Sequence, residues 1–186
     1  SAIDMKSGKL LWRSDEIIFS GTNVVFDEKY VYNIGWGVSD KKEVIFVQLD
    51  KETGELIKTK KLGDSREILA RMDNLLLYNE TLYWGANRHF VHAYNTQDDA
   101  DSYKVWGSED VTADIMGDIV PYNGRLYFVA EVYPYIDDPK PSRLISMLPD
   151  GSDVKELEIP VDFMGVDTNA IQIYEGKLYL NGTYFI

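Results

Sequence analysis

The chain has 186 residues, with 31 acidic against 19 basic side chains, a net charge of −12 and no cysteine. Its composition of 45% hydrophobic and 13% aromatic residues excludes a disordered acidic tail, since enough apolar surface exists to offset chain entropy. The acidic excess argues against nucleic acid as a partner, because phosphate contacts need clustered Lys and Arg. The lack of cysteine excludes disulfide bonds, thiolate catalysis and Cys-ligated zinc. It does not determine the compartment, because a protein without disulfides can lie on either side of a membrane.

Targeting and membrane segments are not predicted. Residues 1–12 do not form a signal peptide, because Asp4, Lys6 and Lys9 interrupt them. The longest apolar runs, such as residues 75–78, fall far short of the roughly 20 residues that a spanning helix needs. We therefore expect a soluble chain without membrane insertion. Because it does not begin with Met, we interpret it as a processed or trimmed product.

The predicted elements are almost all strands. Short runs rich in Val, Ile and Tyr alternate with polar residues and are bounded by turn formers, which is typical of β-structure. In chain order they are residues 29–35, 43–49, 125–133 and 177–180. Only residues 64–71 indicate a helix, and that one is brief. The sequence therefore predicts an all-β fold.

A phrase of aromatic residue, polar turn and Tyr-rich strand occurs four times, and each copy predicts a β-hairpin. The copies are residues 26–32, 78–84, 122–128 and 174–180. Their opening aromatic residues are 52, 44 and 52 positions apart. A second hairpin phrase lies between them, at residues 2–12, 49–57, 93–106 and 148–157. Two hairpins in each period of about 40–50 residues make a four-stranded unit, the blade of a β-propeller.

The second phrase resembles known propeller repeats. Residues 2–12 match the Ala-x-Asp-x-x-(Thr/Ser)-Gly-x-x-x-Trp signature of quinoprotein-like (PQQ-like) repeats, whereas the next copy has Lys58 in place of the Trp. Residues 149–152 look like the Asp-Gly-Ser turn of TolB-like repeats. The resemblance implies that Trp12 and Trp106 pack on a neighbouring blade. The dehydrogenases with such repeats form a larger eight-bladed ring that carries a vicinal disulfide. Because this chain has no cysteine, the resemblance does not imply a quinone cofactor.

The repeats predict one propeller domain over residues 1–186. We name the strands of a blade A to D from the axis outward. The predicted limits are a C–D half blade at 1–15, full blades at about 22–63, 68–107 and 114–160, and an A–B half blade at 169–186. Two arrangements fit: a closed four-bladed ring whose last blade is shared by both termini, or part of a larger propeller. The second would leave sheet edges exposed and favour self-association.

The B–C loops predict a binding site on one face of the propeller. Large or polar side chains stand there in turn-like settings, and rigid amphipathic residues on loops commonly form binding surfaces. The candidates are Trp36, Arg88, His89, Tyr133 and Tyr135. The alternative is that the aromatic rings only pack between blades.

No catalytic or metal-binding residues are predicted. His89 and His92 have H-x-x-H spacing, but on a strand these positions point to opposite faces. The acidic cluster of Asn95, Asp98, Asp99 and Asp101 lacks the glycine and glutamate of a calcium loop. There is no G-x-S-x-G motif, no Gly-rich phosphate loop and no spacing that selects a carboxylate pair.

The sequence therefore favours a non-catalytic binding or scaffold module. Its ligand would be a protein, peptide or glycan, and its location the bacterial envelope or the outside of the cell, the location being implied by the family resemblance alone. The alternative is an enzyme, either a propeller hydrolase with carboxylates at the axis or a fragment of a quinoprotein-like dehydrogenase.

Replacement of Tyr133 and Tyr135 by alanine separates binding from packing. If the rings form a binding surface, the melting temperature stays nearly unchanged, because exposed side chains contribute little to stability. The control Trp106→Ala should lower the melting temperature clearly, since it removes a buried indole. Thermal unfolding followed by circular dichroism measures both, and an equal loss in the two variants would contradict the loop-site hypothesis.

Overall fold

A computed structural model gives the structure of the chain. It describes residues 1–14, 18–19, 23–37, 43–64, 75–86, 90–98, 100–107, 113–132, 142–159 and 166–182. These residues form strands, turns and irregular segments, so the predicted all-β class is confirmed. The predicted helix at 64–71 lies outside the described residues apart from Asp64, which ends a strand. None of the described residues belongs to a helix with the length and hydropathy of a membrane span.

The described strands follow one another along the chain with short turns. They are β1 (Ala2–Ile3), β2 (Leu10–Trp12), β3 (Ile18–Phe19), β4 (Val25–Phe26), β5 (Tyr30–Gly37), β6 (Glu43–Asp50), β7 (Leu56–Asp64), β8 (Leu75–Tyr78), β9 (Thr81–Ala86), β10 (Phe90–Asn95), β11 (Tyr103–Gly107), β12 (Ala113–Tyr122), β13 (Arg125–Val132), β14 (Arg143–Met147), β15 (Lys155–Glu158), β16 (Val166–Tyr174) and β17 (Lys177–Gly182).

Three antiparallel sheets have the order of propeller blades. Strands β8 to β11 form one four-stranded sheet, and β12 to β15 form another, each in sequential order. In the first blade, β5, β6 and β7 are sequential, and the inner strand is divided into β3 and β4, which pair with opposite ends of β5. The predicted four-stranded antiparallel blades are therefore confirmed.

The two terminal hairpins form small sheets of their own. Within the described strands, β1 pairs with β2, β16 pairs with β17, and each pair is a two-stranded sheet. Of the two predicted arrangements, this fits the partial propeller. The chain divides into two compact units, Ser1–Ala70 and Arg71–Ile186. The predicted limits of the blades and of a single domain stay a prediction.

Each blade packs through alternate residues of its strands. In the first unit, Tyr32 and Phe46 are fully buried and their rings stack at 6.2 Å between centroids. In the second unit, the ring of Trp106 on β11 meets Phe128 on β13 edge to face at 5.1 Å. Trp106 thus joins two neighbouring blades, as the family resemblance implies, and edge-to-face aromatic pairs stabilise such contacts beyond their buried area.

The second sequence phrase forms a turn capped by its aspartate. The Asp50 carboxylate accepts hydrogen bonds from the backbone N–H of Thr53 at 2.8 Å and from its hydroxyl at 3.0 Å. These bonds lower the pKa of Asp50. Gly54 then takes a φ of +73°, which favours glycine. Two of the other three copies also cap the turn with an aspartate. Asp4 accepts hydrogen bonds from the N–H and hydroxyl of Ser7, and Gly8 follows with a positive φ. Asp150 accepts them from the N–H and hydroxyl of Ser152, and Gly151 between the two has a positive φ.

Within each unit, the outer strand of one repeat packs on the turn glycine of the next repeat. A Cβ atom at Gly54 would overlap the indole of Trp12, and the Trp12 Nε1–H donates a hydrogen bond to the Lys51 carbonyl at 2.9 Å. A Cβ atom at Gly151 would overlap the carbonyl of Val105 on β11. The two glycines are therefore needed for close approach as well as for backbone conformation, and the packing role of Trp12 is confirmed.

Replacement of Gly54 by alanine tests this contact. We expect Gly54→Ala to lower the free energy of unfolding by about 3 kcal/mol, because the left-handed backbone costs about 1 kcal/mol and the overlap with Trp12 about 2 kcal/mol more. The control is Gly124→Ala, where φ is +75° but no atom lies within 4 Å of the added Cβ. Urea unfolding measures both, and equal losses would show that the indole contact contributes nothing.

Candidate functional site

The predicted loop site lies almost entirely outside the described residues. Arg88, His89, Tyr133 and Tyr135 all belong to the part of the chain that is not described. Trp36 has a described backbone in β5, where it pairs with Phe19 on one side and Val44 on the other, but its side chain is not described. The loop site therefore stays a prediction.

The first unit contains an apolar cleft that the sequence did not predict. It lies between the N-terminal hairpin, β1 and β2, and one face of the first blade, and its volume is about 420 Å³. Sites for small ligands and peptide side chains usually enclose about 300–1,000 Å³. The cleft is lined by Ser1, Ala2, Trp12, Ser14, Val24, Phe26, Val31, Asn33, Val47, Leu49 and Lys51.

Strand alternation places these side chains on one face. On β5, Val31 lines the cleft whereas its neighbour Tyr32 is fully buried in the blade. Val31 stands opposite Leu49 of β6 and Phe26 of β4 in the antiparallel register. Asn33 pairs with Val47 in the same way one step further along. The cleft wall is therefore a continuous row of cross-strand neighbours with one amide among aliphatic groups.

The inner part of the wall is uncovered. Phe26 is 66% exposed and Val24 is 55% exposed, although both belong to the apolar face. Among the described strands, the N-terminal hairpin pairs β1 with β2, and its Trp12 covers the outer part of the blade at Gly54. Exposed apolar surface of this kind commonly marks an interaction site.

The charged groups at the rim are held by the protein itself. The Lys51 ammonium donates hydrogen bonds to the carbonyls of Asp27, at 3.2 Å, and Glu28. The Asp27 carboxylate accepts a hydrogen bond from the Tyr32 hydroxyl at 2.6 Å and one from the Tyr30 N–H at 2.7 Å. Burial raises the pKa of Asp27, but these hydrogen bonds outweigh it and leave the pKa below its usual value. The remaining lining of the cleft is mainly apolar.

The second unit has one buried polar pair. His92 on β10 stands opposite Trp84 on β9, with ring centroids 5.7 Å apart. The Trp84 Nε1 and the His92 Nδ1 are both buried, and neither has a hydrogen-bond partner among the described residues. Burial, with a smaller contribution from Lys104, lowers the pKa of His92. The other histidine of the H-x-x-H motif, His89, lies outside the described residues.

Asp118 is a further group that sequence reasoning missed. It lies at an irregularity of β12, between the paired residues Met116 and Val120, and it is partly buried. Burial raises the pKa of its carboxyl group. No motif surrounds Asp118, so the sequence carried no signal for its burial. It lies in the second unit and takes no part in the cleft.

The acidic cluster forms a hydrogen-bonded turn. The Asn95 side-chain oxygen accepts a hydrogen bond from the Gln97 N–H at 2.8 Å, and the Tyr94 hydroxyl donates one to the Asp98 carbonyl at 3.3 Å. Asp99 lies outside the described residues. In the described part of the chain, no group of three or more His, Asp or Glu side chains is arranged to hold a metal ion.

Comparisons with known proteins identify the fold. No protein-family model matches the chain, and no curated protein matches it. Among solved structures, the quinohemoprotein alcohol dehydrogenase ADHIIG from Pseudomonas putida HK5 is 15% identical, with a TM-score of 0.52 over 80% of this chain. BamB from Moraxella catarrhalis is 12% identical, with a TM-score of 0.48 over 97% of this chain. The computationally designed Ika4 protein is 14% identical, with a TM-score of 0.44 over 82% of it.

The structural similarity to the dehydrogenase shows that the chain has a β-propeller fold. The match covers 22% of that protein's own length, 62% of BamB and 99% of Ika4, so this chain spans a minor part of the dehydrogenase. At 15% identity the likeness shows the fold alone. The resemblance to quinoprotein-like propeller repeats that the turn signature indicated is thereby confirmed.

His92 should make stability depend on pH. Its folded pKa lies below the usual 6.5, so the unfolded chain binds more protons at mildly acidic pH, and the stability present above about pH 6.5 is lost as the pH falls. We expect His92→Gln to flatten the dependence of the melting temperature on pH between about pH 8 and pH 5, because glutamine does not titrate in this range. A slope unchanged in His92→Gln would contradict the assignment.

Proposed function

We propose that this chain is a non-catalytic propeller module that binds a segment of a protein in the apolar cleft of its first unit. The observation that carries the proposal is the exposed face of the first blade, where Phe26 and Val24 stand uncovered beside the N-terminal hairpin. A fold that positions such a face rigidly on β4, β5 and β6 provides a preformed surface, which lowers the entropic cost of binding.

The chemistry of the wall favours a protein segment over a glycan. Val24, Val31 and Leu49 offer no hydrogen bonds, and the hydroxyl groups of a glycan would lose their bonds to water without replacement. Asn33 places one amide group among these apolar side chains. Apolar side chains of a peptide would contribute most of the affinity through contact with Phe26.

The same features favour binding over catalysis. Two charged groups beside the cleft, Lys51 and Asp27, are engaged in hydrogen bonds that fix the adjoining turn. A catalytic acid or base has to reach the substrate, which these groups do not do. The predicted loop residues Trp36, Arg88, His89, Tyr133 and Tyr135 remain part of the proposal as a second surface, for a protein, peptide or glycan. The proposed location is the bacterial envelope or the outside of the cell, supported by the sequence resemblance alone.

The cleft is tested with a displayed library of random peptides. Peptides selected on the wild-type chain are labelled and titrated by fluorescence polarisation against Phe26→Asp. We expect at least about a tenfold loss of affinity. A bound peptide would bury the Phe26 ring, which contributes about 1.5–3 kcal/mol, whereas in the variant it would have to desolvate the new carboxylate. Since Phe26 is already 66% exposed, the melting temperature should change little.

The matched control is Ile57→Asp. Ile57 lies in the same unit on β7, is 47% exposed and does not line the cleft. The Ile57→Asp variant should bind the selected peptides with the same affinity as the wild-type chain. Equal losses in both variants, or selected peptides that bind Phe26→Asp as well as wild type, would contradict the proposal. Binding of immobilised glycans that is lost in Phe26→Asp would overturn the choice of a protein segment.

A further inference from the structure

The turn between β12 and β13 consists of Asn123 and Gly124. Both residues have a positive φ, +47° and +75°, and both are exposed. Tyr122 and Arg125 pair across the two strands and close the turn. Asn-Gly is the preferred sequence for such a two-residue hairpin, because each central residue needs a left-handed backbone. In the same dipeptide an asparagine side chain also reacts most easily with the backbone that follows it.

The reaction joins the backbone nitrogen of Gly124 to the side-chain carbonyl carbon, Cγ, of Asn123. The Gly124 nitrogen loses its proton and forms the new C–N bond, while the side-chain nitrogen of Asn123 takes up a proton and leaves as ammonia. The product is a cyclic succinimide. Water then opens either of the two ring carbonyls, which gives aspartate or isoaspartate. Overall, a water molecule is consumed and ammonia is released, so no oxidant, reductant or cofactor is needed.

The surroundings of this turn leave the reacting groups accessible. No atom lies within 4 Å of where a Cβ atom of Gly124 would stand, so that side of the residue is open. In the part of the chain that the structure describes, Asn123 and Gly124 make no hydrogen bond outside the β12–β13 ladder. The nitrogen reaches Cγ when the turn opens briefly, and exposed turns open without unfolding of the sheet. Because Gly124 has no side chain, its backbone adopts the required conformations at little cost.

The turn between β8 and β9 provides an internal comparison. Asn79 and Glu80 also have positive φ values, +49° and +60°, and both are exposed. There the side chain of Glu80 crowds the nitrogen that would attack Asn79. The Glu80 carbonyl also accepts hydrogen bonds from the N–H and the hydroxyl of the buried Thr96, both at 2.9 Å. Thr96 therefore holds this turn closed, whereas no described residue holds the turn of Asn123 in this way.

A change at Asn123 would act on the end of the blade that β12 to β15 form. Isoaspartate carries its side-chain carbon in the main chain, so it lengthens a turn whose type sets the register of the hairpin. Arg125, which closes the turn, donates a hydrogen bond from Nε to the Ser146 hydroxyl at 3.2 Å and another to the Asp153 carboxylate. These bonds join β13 to β14 and to the turn before β15. Displacement of Arg125 would weaken both.

We propose that Asn123 is a site of spontaneous deamidation, in which Gly124 supplies the nucleophile and the isoaspartate product loosens this blade. The proposal does not depend on the cleft, because the turn lies in the second unit and the cleft in the first. The isoaspartyl carboxylate is the chemical group that isoaspartyl methyltransferases recognise. The modified chain can therefore be labelled selectively.

Incubation of the wild-type chain at mildly alkaline pH, under conditions in which its circular dichroism stays native, tests the proposal. Isoaspartate is labelled with an isoaspartyl methyltransferase and radioactive S-adenosylmethionine, and peptide mapping by mass spectrometry assigns the modified residue. We expect modification at Asn123 to be at least about tenfold faster than at Asn79. Asn123→Gln should remove the label from this peptide, because glutamine closes the ring far more slowly. Equal rates at Asn79 and Asn123, or no modification at Asn123, would overturn the proposal.

The variant Glu80→Gly separates the effect of the turn from that of the dipeptide, because it places glycine after Asn79 as well. In the folded variant we expect Asn123 still to react faster than Asn79, since Thr96 holds the carbonyl of residue 80. In urea, where that contact is lost, the two sites should react at equal rates. Equal rates in the folded variant would show that the dipeptide alone decides, and would overturn the argument from the turn.

The effect on the blade is measured on the isoaspartate form after its separation by ion-exchange chromatography. We expect this form to melt at a lower temperature than the wild-type chain. Asn123→Asp adds the same charge with a normal backbone and should melt close to the wild-type temperature. Equal melting temperatures of all three chains would overturn the proposed loosening. An equal loss in Asn123→Asp would overturn the role of the lengthened turn.

Discussion

The contact between the outer strand of one repeat and the turn glycine of the next is the constraint on which the rest of the structure depends. Trp12 lies where a Cβ atom of Gly54 would stand, and the Val105 carbonyl does the same at Gly151. Both glycines are also required by their left-handed backbone. The aspartate caps hold these turns, and the outer strand packs on them through the indole of Trp12 in one unit and through the carbonyl of Val105 in the other. Within each unit, this contact holds two neighbouring sheets together.

The same position of the repeated phrase is covered to different degrees in different copies. The opening aromatic residues show this. Tyr78 and Tyr122 are partly buried, whereas Phe26 and Tyr174 are largely exposed. The exposure of Phe26 is what opens the inner part of the cleft wall.

Much of the fold could be predicted from the sequence because turns are local. The Asp-x-x-Ser/Thr-Gly phrase requires a capped turn with a positive φ, and alternation over residues such as those of β6 requires a strand. The division of the inner strand into β3 and β4 could not be predicted. The pairing of β4 with β5 follows from the hairpin predicted at residues 26–32, but β3 pairs with the far end of β5 and no local motif marks that pairing. The same holds for the cleft, because the exposure of Phe26 depends on what covers it and not on its neighbours in sequence.

The sequence by itself determined the repeat, the hairpins, the turn glycines and the packing role of Trp12, because these depend on residues close together in the chain or on one repeated phrase. Only the tertiary structure decided which faces are covered. Val31 and Tyr32 are adjacent in sequence, yet one lines the cleft and the other is fully buried. Which face of a strand is covered depends on packing across repeats, and a local pattern does not contain that information.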